Sequence, residues 1–213
     1  MLKLLYLHFS VKIYEWWHQR QVKRLYYNDP AFKALDQQLL EGPDPFRIKE
    51  AFPYGETPLC SLKQIADRCG LKSSDHVVDL GCGRGRGVVF LSHFYGCKAQ
   101  GIDQIQSFIQ KAQKVKAPRT SFSNGDLRKF DFSRTTFVYF YGTTFSDEFV
   151  KELSKALEKL PPKSKIVTVS YPLEKFPVID QFIVSFPWGK GEVFLHEKVE
   201  HLLRAGSAEG VND

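Results

Sequence analysis

The chain has 213 residues, of which 43% are hydrophobic and 25% charged, and a net charge of +6. These are ordinary globular values, enough for one domain with a substantial core and an added segment. Cys60, Cys69, Cys82 and Cys97 form no C-x-x-C pair, which argues against a zinc site or a disulfide framework and points to a reduced, cytoplasmic setting. The positive charge favours an acidic partner mildly and does not diagnose one.

From the N-terminus, residues 1–28 are apolar, aromatic and basic, with Trp16-Trp17 and Lys23-Arg24. The longest uncharged run, starting at Leu4, stops at Val11 before Lys12, too short for a membrane span, and no small-residue cleavage site follows. Two readings stay open: a helix packed against the domain, or a basic, tryptophan-bearing surface for a membrane or partner. Leu7, Phe9, Val11 and Ile13 even alternate. Asp29-Pro30 starts a helix through Leu40, with proline in its first turn. Gly42-Pro43-Asp44-Pro45 breaks it, placing a helical segment at 1–43, the main domain at 44–205 and a frayed tail at 206–213.

Phe52 to Pro58 is a turn-rich loop feeding an amphipathic helix with Leu59, Leu62, Ile65, Ala66 and Cys69 inward and Gly70 at its end. His76 to Leu91 then reads as a buried strand, a turn with glycine at every second position, and the start of a helix. Glycine lets backbone approach a ligand closely. The spacing is not the dinucleotide G-x-G-x-x-G: counted from Gly81 that motif needs glycine at Arg86, and from Gly83 at Val88. What stands there is D-x-G-x-G-x-G, with Asp79 ahead of Gly81, Gly83 and Gly85. A carboxylate there suits a cationic ligand and not a pyrophosphate.

Ala99 to Asp103 is a second strand ending in an acid, about twenty residues beyond Gly81, the distance at which Rossmann-like folds hold ribose hydroxyls. A helix with Ile105, Phe108, Ile109 and Ala112 inward follows, then the strand from Thr120 into the turn Asn124-Gly125-Asp126. Phe137 to Tyr141 is a fourth strand, Ser146 opens a helix, and Lys165 to Ser170 is a fifth strand. Phe182–Phe186 and Val193–Lys198 flank a Pro187–Gly191 loop as a closing antiparallel hairpin. Strand and helix alternate as in a parallel sheet covered on both faces. His196 and His201 lie five apart, which fails the H-E-x-x-H spacing and reads as an exposed helix or strand end. Phosphate-loop and nucleophile-elbow motifs are missing, so kinase, NTPase and serine hydrolase readings lack support.

The glycine motif resembles the first motif of class I S-adenosylmethionine-dependent methyltransferases. The order Tyr54-Gly55-Glu56-Thr57, a helix, then Val78-Asp79-Leu80-Gly81-Cys82-Gly83 is similar to the non-SET lysine methyltransferases of the disruptor-of-telomeric-silencing type. More loosely it is similar to the lysine methyltransferases of an ATP-synthase subunit. The resemblance runs from Phe52 to Tyr171, and departs at Tyr141-Gly142, where the histone enzymes keep asparagines. It implies a Rossmann-like α/β fold with a mostly parallel seven-stranded sheet and helices on both faces, to which the residue reading adds a closing antiparallel hairpin and an N-terminal helical segment. It implies S-adenosyl-L-methionine as cofactor and a protein lysine as acceptor. An RNA or small-molecule acceptor, or a binding module that has lost catalysis, stays open.

Glu56, Asp79, Asp103 and Asp126 are expected near the carboxyl ends of the strands, a group of acids prepared for a cation with diol and amine donors. Asp103 is expected on the ribose, Asp126 on the adenine amine with Asn124 or Leu127 beside it, and Asp79 at the methionine end. The full cofactor set adds Tyr54, Thr57, Gly81, Cys82, Gly83, Gln104 and Tyr141 to these. Tyr54, Tyr141, Thr143 and Phe145 are the candidate catalytic residues, with Tyr139, Tyr171 and Trp188 as further candidate walls of an aromatic acceptor channel. No metal is expected. The N-terminal segment is expected to fold onto the domain and help cover the acceptor side.

Overall fold

The computed structural model describes residues 2–41 and 55–200, with side chains from residue 12 onward. Tyr54, the Gly42–Pro45 break, the 43/44 boundary and the tail at 206–213 lie outside the described residues. The N-terminal segment is two helices, α1 (Leu2–Asn28) and α2 (Pro30–Leu40). α1 runs straight through the stretch whose apolar residues alternate. Asp29 caps α2 by accepting from the Phe32 amide at 2.8 Å, with Pro30 in the first turn, where its missing N–H costs no bond.

The main domain follows as α3 (Leu59–Arg68), β1 (His76–Leu80), α4 (Arg86–Tyr95), β2 (Lys98–Asp103), α5 (Gln106–Lys114), β3 (Thr120–Asn124), β4 (Phe137–Phe140), α6 (Asp147–Leu157), β5 (Lys165–Val169), β6 (Val178–Phe186) and β7 (Gly189–Glu197). The seven strands form one sheet in the order β3-β2-β1-β4-β5-β7-β6. β1 to β5 run parallel, while β7 is antiparallel to β5 and to β6. The expected hairpin is present with longer strands: the reversal needs only Pro187-Trp188, because strand pairing continues to Phe186↔Gly189. Strand order reverses between β1 and β4, and a crevice opens beyond their carboxyl ends, where open α/β sheets bind ligands.

The period-two alternation of the central strands feeds two cores. Val77, Phe137, Tyr139, Val167 and Val169 pack on one face with Leu62, Ile65, Val89 and Phe90 of α3 and α4. Val78, Leu80, Val138, Phe140 and Ile166 pack on the other with Leu153 and Leu157 of α6. Asp79 therefore shares the face of Val77 and lies against the start of α4. His196 is not at an exposed end but fully buried in β7. Its Nδ1 faces the Phe176 carbonyl at 3.0 Å and its Nε2 accepts from the Leu173 amide at 3.3 Å, so it staples a loop to the sheet, and burial pushes its pKa down.

The N-terminal helices pack on α3 and α4. Phe32 is fully buried, 5.8 Å from the Phe90 ring and 4.9 Å from Phe94 between centroids. Asp36, also fully buried, takes Arg86 Nε at 2.7 Å and Nη2 at 2.8 Å, plus the Tyr26 hydroxyl at 2.5 Å. Arg86 Nη1 reaches Glu56 Oε2 at 3.0 Å, and Arg84 grips the same carboxylate through both Nε and Nη2. A buried ion pair that loses one member leaves an uncompensated charge. Asp36→Ala is therefore expected to lower unfolding free energy by about 3 kcal/mol or more, read by urea denaturation. Asp67→Ala, at an exposed pair with Lys63, is the control and should cost under about 1 kcal/mol. Equal losses in the two variants would show that the Asp36 pair carries no special weight.

Candidate cofactor and acceptor site

After β1 the chain turns through Gly81, Gly83 and Gly85, all left-handed, with φ of +79°, +53° and +85°. Side chains rarely tolerate that region, so the alternating glycines are the condition for the turn. The Gly81 and Cys82 amides donate to the Ile102 carbonyl, and the Gly83 amide donates to Asp103 Oδ2 at 2.8 Å. Asp103 Oδ1 accepts from the Ile105 amide at 2.8 Å, so this acid holds the glycine turn and the start of α5 together. Burial nevertheless raises its pKa, with these amides partly opposing the shift.

Asp79, just ahead of the glycine turn, is also buried, 8% exposed. A Cβ on Gly87 would come within 2.9 Å of its Oδ2, so glycine at the first turn of α4 leaves the carboxylate its room. Among the described residues it receives no hydrogen bond. Burial, and then the neighbouring Asp103, push its pKa up to about 7. A carboxylate buried without a donor is costly unless something positive comes to it.

A cavity of about 530 Å³ lies over the glycine turn, walled by Gly81, Gly83, Asp103, Gln104, Ile105, Phe108, Leu127, Tyr141, Thr143, Phe145, Phe149 and Trp188, among others. A smaller one of about 60 Å³ shares Gly55, Gly81, Gly83 and Tyr141 with it and adds Glu56, Thr57, Asp79, Cys82 and Tyr139. Thr57 Oγ1 and the buried Tyr139 hydroxyl meet at 2.7 Å. On the outer side, Tyr141 stacks with Trp188 at 5.7 Å and Phe186 with Trp188 at 4.7 Å, and Phe145 stacks on Phe149 at 4.5 Å. Tyr171 lines neither cavity; its hydroxyl donates to the Gly142 carbonyl and holds the loop after β4. A Cβ on Gly142 would meet that hydroxyl at 2.7 Å and the Phe140 ring closer still.

Three expectations need correction. Asp126 is not in the cavity wall: Arg128 takes its carboxylate through Nε at 2.9 Å and Nη2 at 2.7 Å, and the Arg128 amide adds a bond at 3.0 Å. Those contacts hold its pKa down at about 2 and fix it as the cap of a single 3-10 turn, Leu127–Lys129. Asn124 does not line the cavity either; its amide donates to the Asp103 carbonyl at 2.9 Å and ties β3 to β2. Glu56 borders the smaller cavity with its carboxylate already matched by Arg84 and Arg86. Among the described residues, the acids that line the cavities outside an ion pair are Asp79 and Asp103. No residue of 12–41 lines either cavity, and this part of the N-terminal segment packs on α3 and α4. Ile105, Phe108 and Phe149 were read as helix core, because a 3.6-residue period cannot tell a core face from a cavity wall.

Residues 77–160 match the family described as a methyltransferase domain. The fold is that of a class I methyltransferase. An RNA methyltransferase from Salinibacter ruber, in complex with S-adenosyl-L-homocysteine, superposes with a TM-score of 0.61 at 21% identity, covering 75% of this chain and all of that one. Magnesium protoporphyrin IX methyltransferase from Synechocystis PCC 6803, with its bound S-adenosylmethionine, gives 0.57 at 15% identity over 84% of this chain and 96% of that one. By sequence, the chain is 33% identical over 82 residues to a sterol 24-C-methyltransferase of Kluyveromyces lactis. That match covers 36% of this chain and 22% of the yeast protein.

The residues present fit S-adenosyl-L-methionine as a cofactor. Asp79, without a donor of its own, suits the methionine ammonium, and Asp103 with Gln104 suits the ribose diol. Ile105, Phe108 and Leu127 supply an apolar slot for a flat base. Asp103→Ala is expected to weaken S-adenosylhomocysteine binding by roughly 2–4 kcal/mol in calorimetry, from two lost charge-assisted bonds. Asp79 should also make affinity for the cationic cofactor rise with pH. Below about 7 its carboxyl is protonated and offers no charge; above that it is ionised. Asp79→Asn should flatten the profile between pH 6 and 8, and a flat profile in the unaltered protein would contradict the assignment.

Proposed function

We propose that the protein transfers a methyl group from S-adenosylmethionine to a lysine ε-amine of a protein. The observation that carries this reading is the character of the acceptor wall. Beyond Asp103, its described residues are the aromatics Tyr141, Phe145, Phe149 and Trp188 with Thr143, Thr144 and Ser146, and no lysine, arginine or histidine. Such a wall offers no cation to hold a carboxylate and no strong base to ionise an alcohol. It suits an acceptor whose nitrogen lone pair is nucleophilic already. The Tyr54–Thr57 order and the glycine motif, which resemble the non-SET lysine methyltransferases, add support.

When bound, the cofactor supplies a methyl group activated on a sulfonium. The chain's own part is alignment and desolvation. Tyr141 and Trp188, stacked across the mouth, and Phe145 with Phe149 opposite, exclude water and leave a slot for an extended alkyl chain. Lysine has a reference pKa near ~10.4, so arriving neutral at pH 7 costs on the order of 4–5 kcal/mol in water. An apolar aromatic slot disfavours the ammonium and reduces that cost. Thr143 lines the cavity beside Tyr141, whose hydroxyl could receive an amine N–H.

A nucleobase nitrogen is the second reading. It is favoured by Trp188, 45% exposed at the mouth and stacked on Tyr141, a platform on which a base could lie. Incubation with radiolabelled S-adenosylmethionine and a host lysate separates the two: label released by protease supports lysine, label released by nuclease supports the base. Tyr141→Ala is expected to depress turnover at least tenfold while S-adenosylhomocysteine affinity changes less than about threefold. Collapse of cofactor affinity would instead assign Tyr141 to the cofactor pocket.

A further inference from the structure

We propose that α1 is an interfacial helix that docks the protein on an anionic lipid surface. Its sequence carries Lys3, Lys12, Arg20, Lys23 and Arg24 against the single acid Glu15, so one helix holds four of the chain's six net positive charges. Packing fixes which way it faces. Tyr14 bonds Ser61 Oγ of α3 at 2.7 Å, Tyr26 bonds Asp36 of α2, and Leu25 packs on the core.

The opposite side is left to solvent. Lys12, Trp16, Arg20, Lys23 and Tyr27 follow one another at three- and four-residue steps and so form one stripe along the helix. Ile13 and Arg24 flank it. Trp16 is 58% exposed, Tyr27 86% and Ile13 51%. The Arg20 guanidinium lies 4.7 Å above the Trp16 ring, which holds the indole in the stripe.

Cations alternating with Trp and Tyr match the headgroup layer of an anionic bilayer: phosphates outside, and a boundary where amphipathic rings settle. Nucleic acid would satisfy the charges, but the start of the same helix speaks for lipid. In sequence, that stretch carries Leu2, Leu4, Leu5, Leu7 and Phe9, residue types that suit an acyl boundary and not a phosphate backbone. No helix among the described residues is long and apolar enough to cross a membrane, so the helix would lie on the surface. None of the stripe residues lines the catalytic cavities, so docking and cofactor binding can be measured apart.

The full chain is to be co-sedimented with vesicles of neutral phosphatidylcholine, alone or with one third phosphatidylglycerol. Binding is expected with the anionic vesicles and at least tenfold weaker with the neutral ones, and it should fall as salt is raised. The triple variant R20E/K23E/R24E should lose at least tenfold in vesicle affinity, and Trp16→Ala severalfold. Both should keep their S-adenosylhomocysteine affinity, which separates a lost surface from a lost fold. Equal binding to neutral and anionic vesicles, no binding to either, or undiminished binding by the triple variant would overturn the proposal. So would single-stranded RNA binding through the same three residues with no vesicle binding.

Discussion

The side chain on which most of this molecule turns is Arg86. Its guanidinium, 14% exposed, joins the Asp36 carboxylate of α2 to the Glu56 carboxylate ahead of α3, at the point where the glycine turn becomes α4. Arginine suits the place because its planar fork can meet two carboxylates without surrendering its charge. With Arg84 added, two guanidiniums face two carboxylates, and this buried set is close to neutral. Around the same glycine turn, Asp79 and Asp103 have no cation partner among the described residues. The chain thus sorts its acids into a matched group that fixes geometry and an unmatched group that awaits a ligand. The sorting also makes the N-terminal helices part of the cofactor site's support, although none of their described residues touches it.

Much of the architecture could be read from local chemistry. Asp29-Pro30 announced a cap and a first turn, Ser146 with Asp147 announced another, and the alternating glycines read as a turn after a buried strand. Asp103 at the end of β2 followed from its distance to Gly81. What was not legible lay in competition between partners. Asp126 has the sequence context of an adenine contact, yet it pairs with Arg128 two residues on and does not line the cavity. Glu56 is captured likewise by Arg84 and Arg86, which occupy the spacer positions of the glycine motif and carry no signal there. His196 read as surface because nothing local reveals that the Phe176 carbonyl and Leu173 amide close over it. Phe108 and Phe149 were assigned to the core, since burial in a wall and burial in a core use the same residue types.

The acceptor side depends on the closing hairpin. Because β6 and β7 reverse through two residues, Trp188 is delivered at the tip and Phe186 one pair behind it, both within stacking distance of Tyr141 at the end of β4. The wall is therefore assembled from two places far apart in the chain, each held by strand pairing and not by a mobile loop alone. Variation in the hairpin tip would alter the mouth without disturbing Asp79 or Asp103. Such separation lets one cofactor crevice serve different acceptors.

The loop behind that wall has a consequence for how the sequence can change. At Gly142 the Phe140 ring and the Tyr171 hydroxyl fill the space a Cβ would need. A larger residue could not be introduced there alone; it would require smaller side chains at 140 and 171 at the same time. The three positions are therefore coupled: a change at 142 is tolerated only together with changes at 140 and 171, and any single step among them packs badly.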